Sequence, residues 1–210
     1  MASERNGKEE IQAQMSSVIS KVYLVRHGET AWTISGQHTG RTDIALTDQG
    51  ESDARELSAR LQGMSFANVL TSPLQRARRT AELAGFGERA EADPDLMEWD
   101  YGAYEGRRTT EIQAERPGWR LFQDGCPGGE TLQAVSLRAD RVVARIRALG
   151  SDVLVVAHRD ILRILAARWL GLLAVQACDF YLTTASLSVL GYDHDLHEPV
   201  IRLWNDARHR

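Results

Sequence analysis

The sequence has few of the features that mark secreted, membrane-bound or metal-clustered proteins. Only two of its 210 residues are cysteine, Cys126 and Cys178, and neither belongs to a CxxC or a mixed cysteine–histidine spacing. Two such thiols favour a reducing compartment over a disulfide-stapled fold. No apolar run approaches the roughly 20 residues that a membrane-spanning helix needs, and the amino terminus shows no apolar signal-peptide core. These absences predict a cytoplasmic protein without a membrane partner.

A strong charge of either sign is also missing. With 25 Lys and Arg against 29 Asp and Glu, the formal net charge is −4. The overall field therefore gives no reason to expect nucleic acid, and an anionic ligand must be held by local cations. The length fits one domain. Residues 1–20 are polar and are predicted to form a flexible tail. Residues 21–210 are predicted to form a single domain.

What the sequence does contain is a pair of apolar, β-favouring runs that each end in histidine. Residues 22–25 are followed by Arg26 and His27, and residues 153–157 are followed by His158. Such runs predict buried strands, and the carboxyl ends of parallel strands meet where α/β proteins bind ligands. A lone histidine at a strand end is more often structural. Two of them, with a cation beside the first, predict a site that binds a phosphate and attacks its phosphorus.

The order Arg-His-Gly after the first strand resembles the histidine phosphatase superfamily, also called the phosphoglycerate mutase-like family. Further matches extend the resemblance from about Val22 to Asn205. It implies a three-layer α/β/α sandwich with a mostly parallel central sheet. It also implies a metal-independent phosphomonoester hydrolase with a phosphohistidine intermediate, similar to broad-specificity acid phosphatases and sedoheptulose-1,7-bisphosphatases.

The resemblance also implies roles for particular residues. Arg76 lies in a match to the pattern Ser-x-x-x-Arg-Ala-x-x-Thr-Ala and is implied to clamp phosphate, a task that suits a planar guanidinium. Glu98 is implied to be the proton donor, with Asp100 and Glu105 as alternatives. The predicted catalytic residues are Arg26, His27, Arg76, Glu98 and His158, and the predicted phosphate- or substrate-binding residues are Arg26, Thr30, Thr39, Gly40, Arg76, His158 and Arg159.

The sequence also predicts local structure near these residues. Residues 31–46 lack helical periodicity and predict a loop, in which His38 serves turn chemistry. Ser72 and Pro73 are predicted to open a helix, as cap and first helical residue. Asp160 is predicted to cap the helix that follows the second histidine.

One departure from the family pattern follows that second histidine. The family has His-Gly, whereas this chain has His158, Arg159 and Asp160. Arg159 either enters the pocket, as a third cation or an obstruction, or turns to solvent, which we favour because a non-glycine residue enters a helix without strain. Because of this departure, a catalytically impaired phosphate-binding or scaffold protein stays an alternative. Phosphoglycerate mutase-type transfer is a further alternative, disfavoured by the short stretch after Arg76.

The expected ligands follow from this interpretation. The substrate is a small phosphorylated metabolite such as a sugar phosphate, and inorganic phosphate is a product. No cofactor, metal, nucleic acid or membrane partner is expected. The physiological substrate and the oligomeric state stay open, with a homodimer as one option.

Overall fold

The computed structural model describes residues 20–208. The tail predicted for residues 1–20 lies outside the described residues, apart from Ser20. The described chain forms six strands, seven α-helices and four short 3-10 turns. Among these residues no helix combines the length and the apolarity that crossing a membrane requires.

The strands form one mixed sheet. Their bounds are β1 Val22–Arg26, β2 Asn68–Thr71, β3 Ala90–Ala92, β4 Val153–Ala157, β5 Leu187–Tyr192 and β6 Pro199–Asp206. They lie in the order β3-β2-β4-β1-β5-β6. β1, β4, β2 and β3 pair in parallel, whereas β5 is antiparallel to β1 and β6 is antiparallel to β5. The prediction of a mostly parallel central sheet is confirmed.

Helices cover both faces of the sheet. Their bounds are α1 Ala31–Ser35, α2 Asp48–Leu61, α3 Gln75–Leu83, α4 Thr109–Glu115, α5 Leu121–Asp124, α6 Leu132–Leu149 and α7 Arg159–Trp169. Alternate residues of a strand point to opposite faces, and β1 follows this rule. Val22 and Leu24 pack in the core cluster with α6 and α7, while Tyr23 and Val25 pack with α2 and α3. The architecture is therefore the expected three-layer sandwich.

The segment after β1 is more regular than the sequence predicted. Residues 31–46 were expected to be a loop, but α1 occupies the first five of them. Thr30 caps this helix by accepting a hydrogen bond from the amide of Thr33 at 3.2 Å. No residue of α1 is buried, so the helix has no apolar stripe that periodicity could detect.

The start of α3 also differs from the prediction. Ser72 and Pro73 do not open the helix, because Leu74 after them is still extended and α3 begins at Gln75. Leu74 makes no side-chain capping bond. The Ser72 hydroxyl accepts from the amide of Leu74 at 3.3 Å and lies 2.7 Å from Nε2 of His158.

Candidate active site

The two predicted histidines meet because of the register between β1 and β4. Arg26 pairs with Ala157 across the parallel ladder, so His27 and His158 are the next residues on two neighbouring strands. Their ring centroids lie 5.1 Å apart. Both side chains are buried. The sheet therefore brings together two imidazoles that are 131 positions apart in the sequence.

His27 is held in one tautomer. Its Nδ1 lies 2.7 Å from the carbonyl oxygen of Gly28, and a carbonyl only accepts, so Nδ1 carries the proton. Nε2 then keeps its lone pair. Burial, followed by the charges of Arg76 and Arg26, holds the pKa of His27 well below its usual value. The ring is consequently neutral and nucleophilic at Nε2 even in mildly acidic solution.

Gly28 is required by close approach rather than by an unusual turn. A Cβ atom there would lie 2.4 Å from the carbonyl oxygen of Gly50, so any side chain would push β1 away from the start of α2. The amide of Gly28 donates to the hydroxyl of Thr80 at 3.0 Å. The backbone that orients His27 is thus fixed by two helices.

His158 is bonded through both ring nitrogens. Its Nδ1 accepts from Nε of Arg76 at 3.2 Å, which leaves the proton of the neutral ring on Nε2. Nε2 lies 2.7 Å from Oγ of Ser72. Burial, followed by Arg76, holds the pKa of His158 well below its usual value. The ring is a neutral donor whose direction is set by two partners.

The guanidinium of Arg76 is fully buried and carries much of the local structure. Besides His158, it donates to the carbonyl oxygens of Thr42, Thr39 and Gly40 at 2.9, 3.2 and 2.8 Å. With four of its five N–H groups engaged, it keeps one NH1 hydrogen for a phosphate. In this arrangement Arg76 supplies positive charge and fixes the loop that contains these three carbonyls, but it cannot offer two N–H groups to one phosphate.

Arg26 is the freer cation. Its NH1 donates to the carbonyl oxygen of Leu182 at 2.7 Å. Its Nε is buried and has no hydrogen-bond partner within residues 20–208. A buried donor without a partner is costly, and an anion beside His27 would satisfy it. Burial, followed by the neighbouring Arg159 cation, lowers the pKa of Arg26 to about 10, so it stays charged at neutral pH.

Glu98 lies at the amino end of α7, although it comes from the irregular segment before α4. Its Oε1 accepts from the amides of Trp99, Asp160 and Ile161 at 3.0, 3.2 and 3.1 Å. Oε2 accepts only from the Asp160 amide, at 3.1 Å, and this amide also contacts Oε1. Oε2 is therefore the oxygen better placed to hold a proton. Burial, followed by the Asp160 charge, raises the pKa of Glu98.

The two alternative proton donors have other partners. The Glu105 Oε1 accepts from the amides of Gly40 and Thr42 at 2.7 and 3.0 Å, which fixes the loop that Arg76 also holds. The Asp100 Oδ1 accepts from the amide of Gly102 at 2.9 Å in a turn. Of the three carboxyl groups, Glu98 alone reaches the helix that follows His158.

Asp160 does not cap α7, contrary to the prediction. The N-cap is His158, and Asp160 lies inside the helix. Its carboxylate accepts from the hydroxyl of Tyr101 at 2.6 Å and from NH1 of Arg163 at 2.6 Å. The physical reason is that Glu98 already occupies the amide positions that a capping side chain would use.

The remaining predicted residues surround this centre. Thr39 and Gly40 face Arg76 through their carbonyls, and a Cβ on Gly40 would lie 2.4 Å from the carbonyl oxygen of Trp99. The Thr30 hydroxyl caps α1. The Arg159 side chain is 46% exposed, with Nε 3.9 Å from Oδ1 of Asp160. His38, interpreted above as a turn residue, has its ring 4.9 Å from that of Tyr101.

Two residues of the site were missed as functional residues. Ser72 was assigned to capping, although it stands in the same sequence pattern as Arg76 and follows a buried strand. Tyr101 was not among the predicted site residues. Its contact with Asp160 joins positions 59 residues apart, and no local signal in the sequence indicates such a pair.

The described chain has one grouping of three side chains that could hold a metal, formed by Asp193, His194 and Glu198. All three are exposed and lie in the turn between β5 and β6. β5 runs antiparallel to β1, with Leu190 beside Val22. This turn therefore lies near the amino end of β1, whereas His27 follows its carboxyl end. It takes no part in the site.

Comparison with known proteins agrees with this geometry. The family model described as the histidine phosphatase superfamily (branch 1) matches residues 22–207. The chain belongs to this superfamily. An acid phosphatase of Mycobacterium tuberculosis is 39% identical over 183 residues, covering 85% of this chain and 89% of the relative. The sedoheptulose 1,7-bisphosphatase of Saccharomyces cerevisiae is 38% identical over 198 residues, covering 79% and 73%.

A solved structure and a further relative complete the comparison. The structure of a putative α-ribazole-5′-phosphate phosphatase from Escherichia coli has a TM-score of 0.80 and 30% identity, covering 90% of this chain and 98% of the other. A probable phosphoglycerate mutase of Salmonella choleraesuis is 36% identical over 182 residues, covering 82% and 85%. The prediction of a phosphatase of this superfamily is confirmed.

Proposed function

We propose that this chain hydrolyses small phosphomonoesters through a phosphohistidine formed on Nε2 of His27. The observation that carries the proposal is the 2.7 Å bond from Nδ1 of His27 to the Gly28 carbonyl. It leaves the opposite nitrogen unprotonated in a buried site beside His158 and two arginines. Sugar phosphates are the substrate class that the sedoheptulose bisphosphatase relative supports.

The first step transfers the phosphoryl group to the enzyme. Arg26 and Arg76 offset the charge of the phosphate, which otherwise repels a nucleophile. The lone pair on Nε2 of His27 forms the bond to phosphorus as the bond to the leaving oxygen breaks. That oxygen takes the proton from Glu98, and the alcohol leaves.

The second step releases phosphate. Glu98, now ionised, accepts a proton from a water molecule whose oxygen attacks phosphorus. The phosphorus–nitrogen bond breaks, and its electron pair returns to Nε2 of His27. Glu98 ends protonated and the imidazole neutral, which are the states that the raised and lowered pKa values favour. The proposal includes no metal or other cofactor.

The location and assembly of the protein are also proposals. The free thiols Cys126 and Cys178 support a reducing, cytoplasmic compartment. A homodimer stays a prediction. Residues 21–210 are proposed to act as one domain, a proposal supported by the match of the family model to residues 22–207.

The decisive experiment is to trap the intermediate. Brief incubation with a phosphate-labelled substrate and an alkaline quench should give an acid-labile phosphoprotein. His27→Ala should give neither labelled protein nor turnover, whereas His194→Ala, at a histidine that is 79% exposed, should behave as wild type. Wild-type turnover in His27→Ala would refute the nucleophile assignment.

Mutase-type transfer is the second candidate, favoured by the identity to a probable phosphoglycerate mutase. Incubation with 3-phosphoglycerate separates the two. Release of inorganic phosphate supports hydrolysis, and accumulation of 2-phosphoglycerate without phosphate release supports the mutase.

A further inference from the structure

A cavity of about 380 Å³ lies beside the first residues of α7, which follow His158, and is not used by the steps above. Arg159 and Asp160 form part of its wall. Arg159 directly follows His158, and the amide of Asp160 donates to Glu98. Because Glu98 protonates the leaving oxygen in the proposed mechanism, the cavity lies on the side where the leaving group of the substrate is expected.

The cavity wall holds charges that are not all balanced. Arg163 and Asp160 form a close pair at 2.6 Å. Arg159 has no carboxylate nearer than the 3.9 Å contact to Asp160. Arg120 donates to Asp124 from its backbone amide, and its side chain makes no hydrogen bond or ion pair with another described residue. The remaining carboxylate of the wall, on Asp179, is 3.5 Å from the Cys178 sulfur, so one positive charge is left over.

Arg159 also lies close to a further cation, Arg26. Its charge is near enough to Arg26 to contribute to lowering the pKa of that residue. Arg159 and Arg26 carry like charges, which repel each other at short distance. An anionic group bound between these two residues and Arg120, in addition to the reacting phosphate, would lower this repulsion. The side chain of Arg159 is 46% exposed and lines the cavity, so it can reach a ligand there without first breaking a buried contact.

We propose that this cavity is a second anion subsite, in which Arg159 and Arg120 bind a negatively charged group on the leaving group of the substrate. The inference rests on the proposed function and narrows it. The enzyme should prefer small phosphomonoesters that carry a second phosphate or a carboxylate over equally sized neutral ones. Arg159, the departure from the family pattern, then determines specificity instead of obstructing the site.

Two matched substrate pairs test the subsite and distinguish the anion. Fructose 1,6-bisphosphate against fructose 6-phosphate reports a second phosphate, and 3-phosphoglycerate against glycerol 3-phosphate reports a carboxylate. The readout is the ratio of kcat/KM within each pair at low ionic strength, where exposed charges are least screened. Wild type should favour the charged member by about 10-fold to 100-fold, the range of a charge-assisted hydrogen bond.

The variants locate the effect. Arg159→Gln and Arg120→Gln should each lower the ratio by about 10-fold in the pair that wild type prefers, while Arg78→Gln, at an exposed arginine of α3, should keep it. A wild-type ratio near one in both pairs, or a ratio that survives both substitutions, would overturn the subsite. Absence of turnover and of phosphoprotein with all four substrates would instead refute the proposed function.

Discussion

Two regions of this molecule build one site in different ways. The strand-end centre, made of Arg26, His27, Arg76 and His158, is placed by β-ladder register and by the first turn of α3. The wall segment, residues 94–130, has only two 3-10 turns and two short helices. It is anchored by side chains, among them Arg138 of α6, which donates to the Glu130 carboxylate at 2.8 Å. The proposed nucleophile, the second histidine and the two arginines therefore lie in or at the ends of regular elements, whereas the proposed proton donor, Glu98, lies in an irregular segment.

The largest effect is expected at the centre, from Arg76→Ala. Loss of this cation should lower kcat/KM by about 10³–10⁵-fold, as for other arginines that stabilise phosphoryl transfer. It should also lower the free energy of unfolding by about 3 kcal/mol, because the buried carbonyl of Gly40 and the partly buried carbonyls of Thr39 and Thr42 lose their donor. Enzyme assays and urea denaturation measure the two losses.

A surface arginine provides the control for Arg76→Ala. Arg145 pairs with Glu91 and Asp93 and is 36% exposed, so Arg145→Ala should cost about 1 kcal/mol or less. Equal destabilisation by the two substitutions would show that the hydrogen bonds of Arg76 do not organise the loop. Retained activity in Arg76→Ala would remove it from the centre.

The next effect tests whether the wall segment contributes to the chemistry. Glu98→Gln keeps an oxygen for the three backbone amides but removes the proton. The rate with an alkyl phosphate should fall by about 10²–10⁴-fold, the range of general acid–base catalysis. Nitrophenyl phosphate, whose leaving group needs little protonation, should lose much less. An equal loss on both substrates would mean that Glu98 serves binding or structure.

The same contrast explains what the sequence could predict. His27 and His158 were found because apolar runs of β-branched residues predict strands, and parallel strands bring their ends together. The contact of Tyr101 with Asp160 was not found, since it depends on how an irregular segment folds back over α7. Asp160 was assigned to capping for the same reason. A distant carboxylate, Glu98, had already taken the amides, and local sequence does not show it.

The pH dependence should follow from the two opposite pKa shifts. His27 must be unprotonated to attack, and its lowered pKa predicts no loss of kcat/KM between about pH 6.5 and pH 5, where an ordinary histidine gains its proton. Glu98 must be protonated, and its raised pKa predicts a decline as pH rises through that value. We therefore expect kcat/KM to be highest between the lowered pKa of His27 and the raised pKa of Glu98.

The Glu98→Gln variant isolates the alkaline side of this profile. With the same alkyl phosphate, the ionisation of the substrate is unchanged, so the decline should flatten in the variant if Glu98 causes it. An acidic limb near pH 6.5 in wild type would show that His27 titrates normally and that burial does not set its protonation.

The smallest effect is expected from Ser72→Ala, at a residue that contacts the strand-end centre through His158. His158 would lose the hydrogen bond from Nε2 to the Ser72 hydroxyl but keep its bond from Arg76. One neutral hydrogen bond contributes about 1 kcal/mol, so kcat should fall only about 3-fold to 10-fold. Ser72→Thr, which restores a hydroxyl, should recover part of the rate if that bond orients the ring, whereas a merely structural role would lower stability in both variants and leave kcat of the folded enzyme unchanged. A loss as large as that of Arg76→Ala would instead mean that Ser72 contacts the phosphate directly, and the strand-end centre would then have a fifth member.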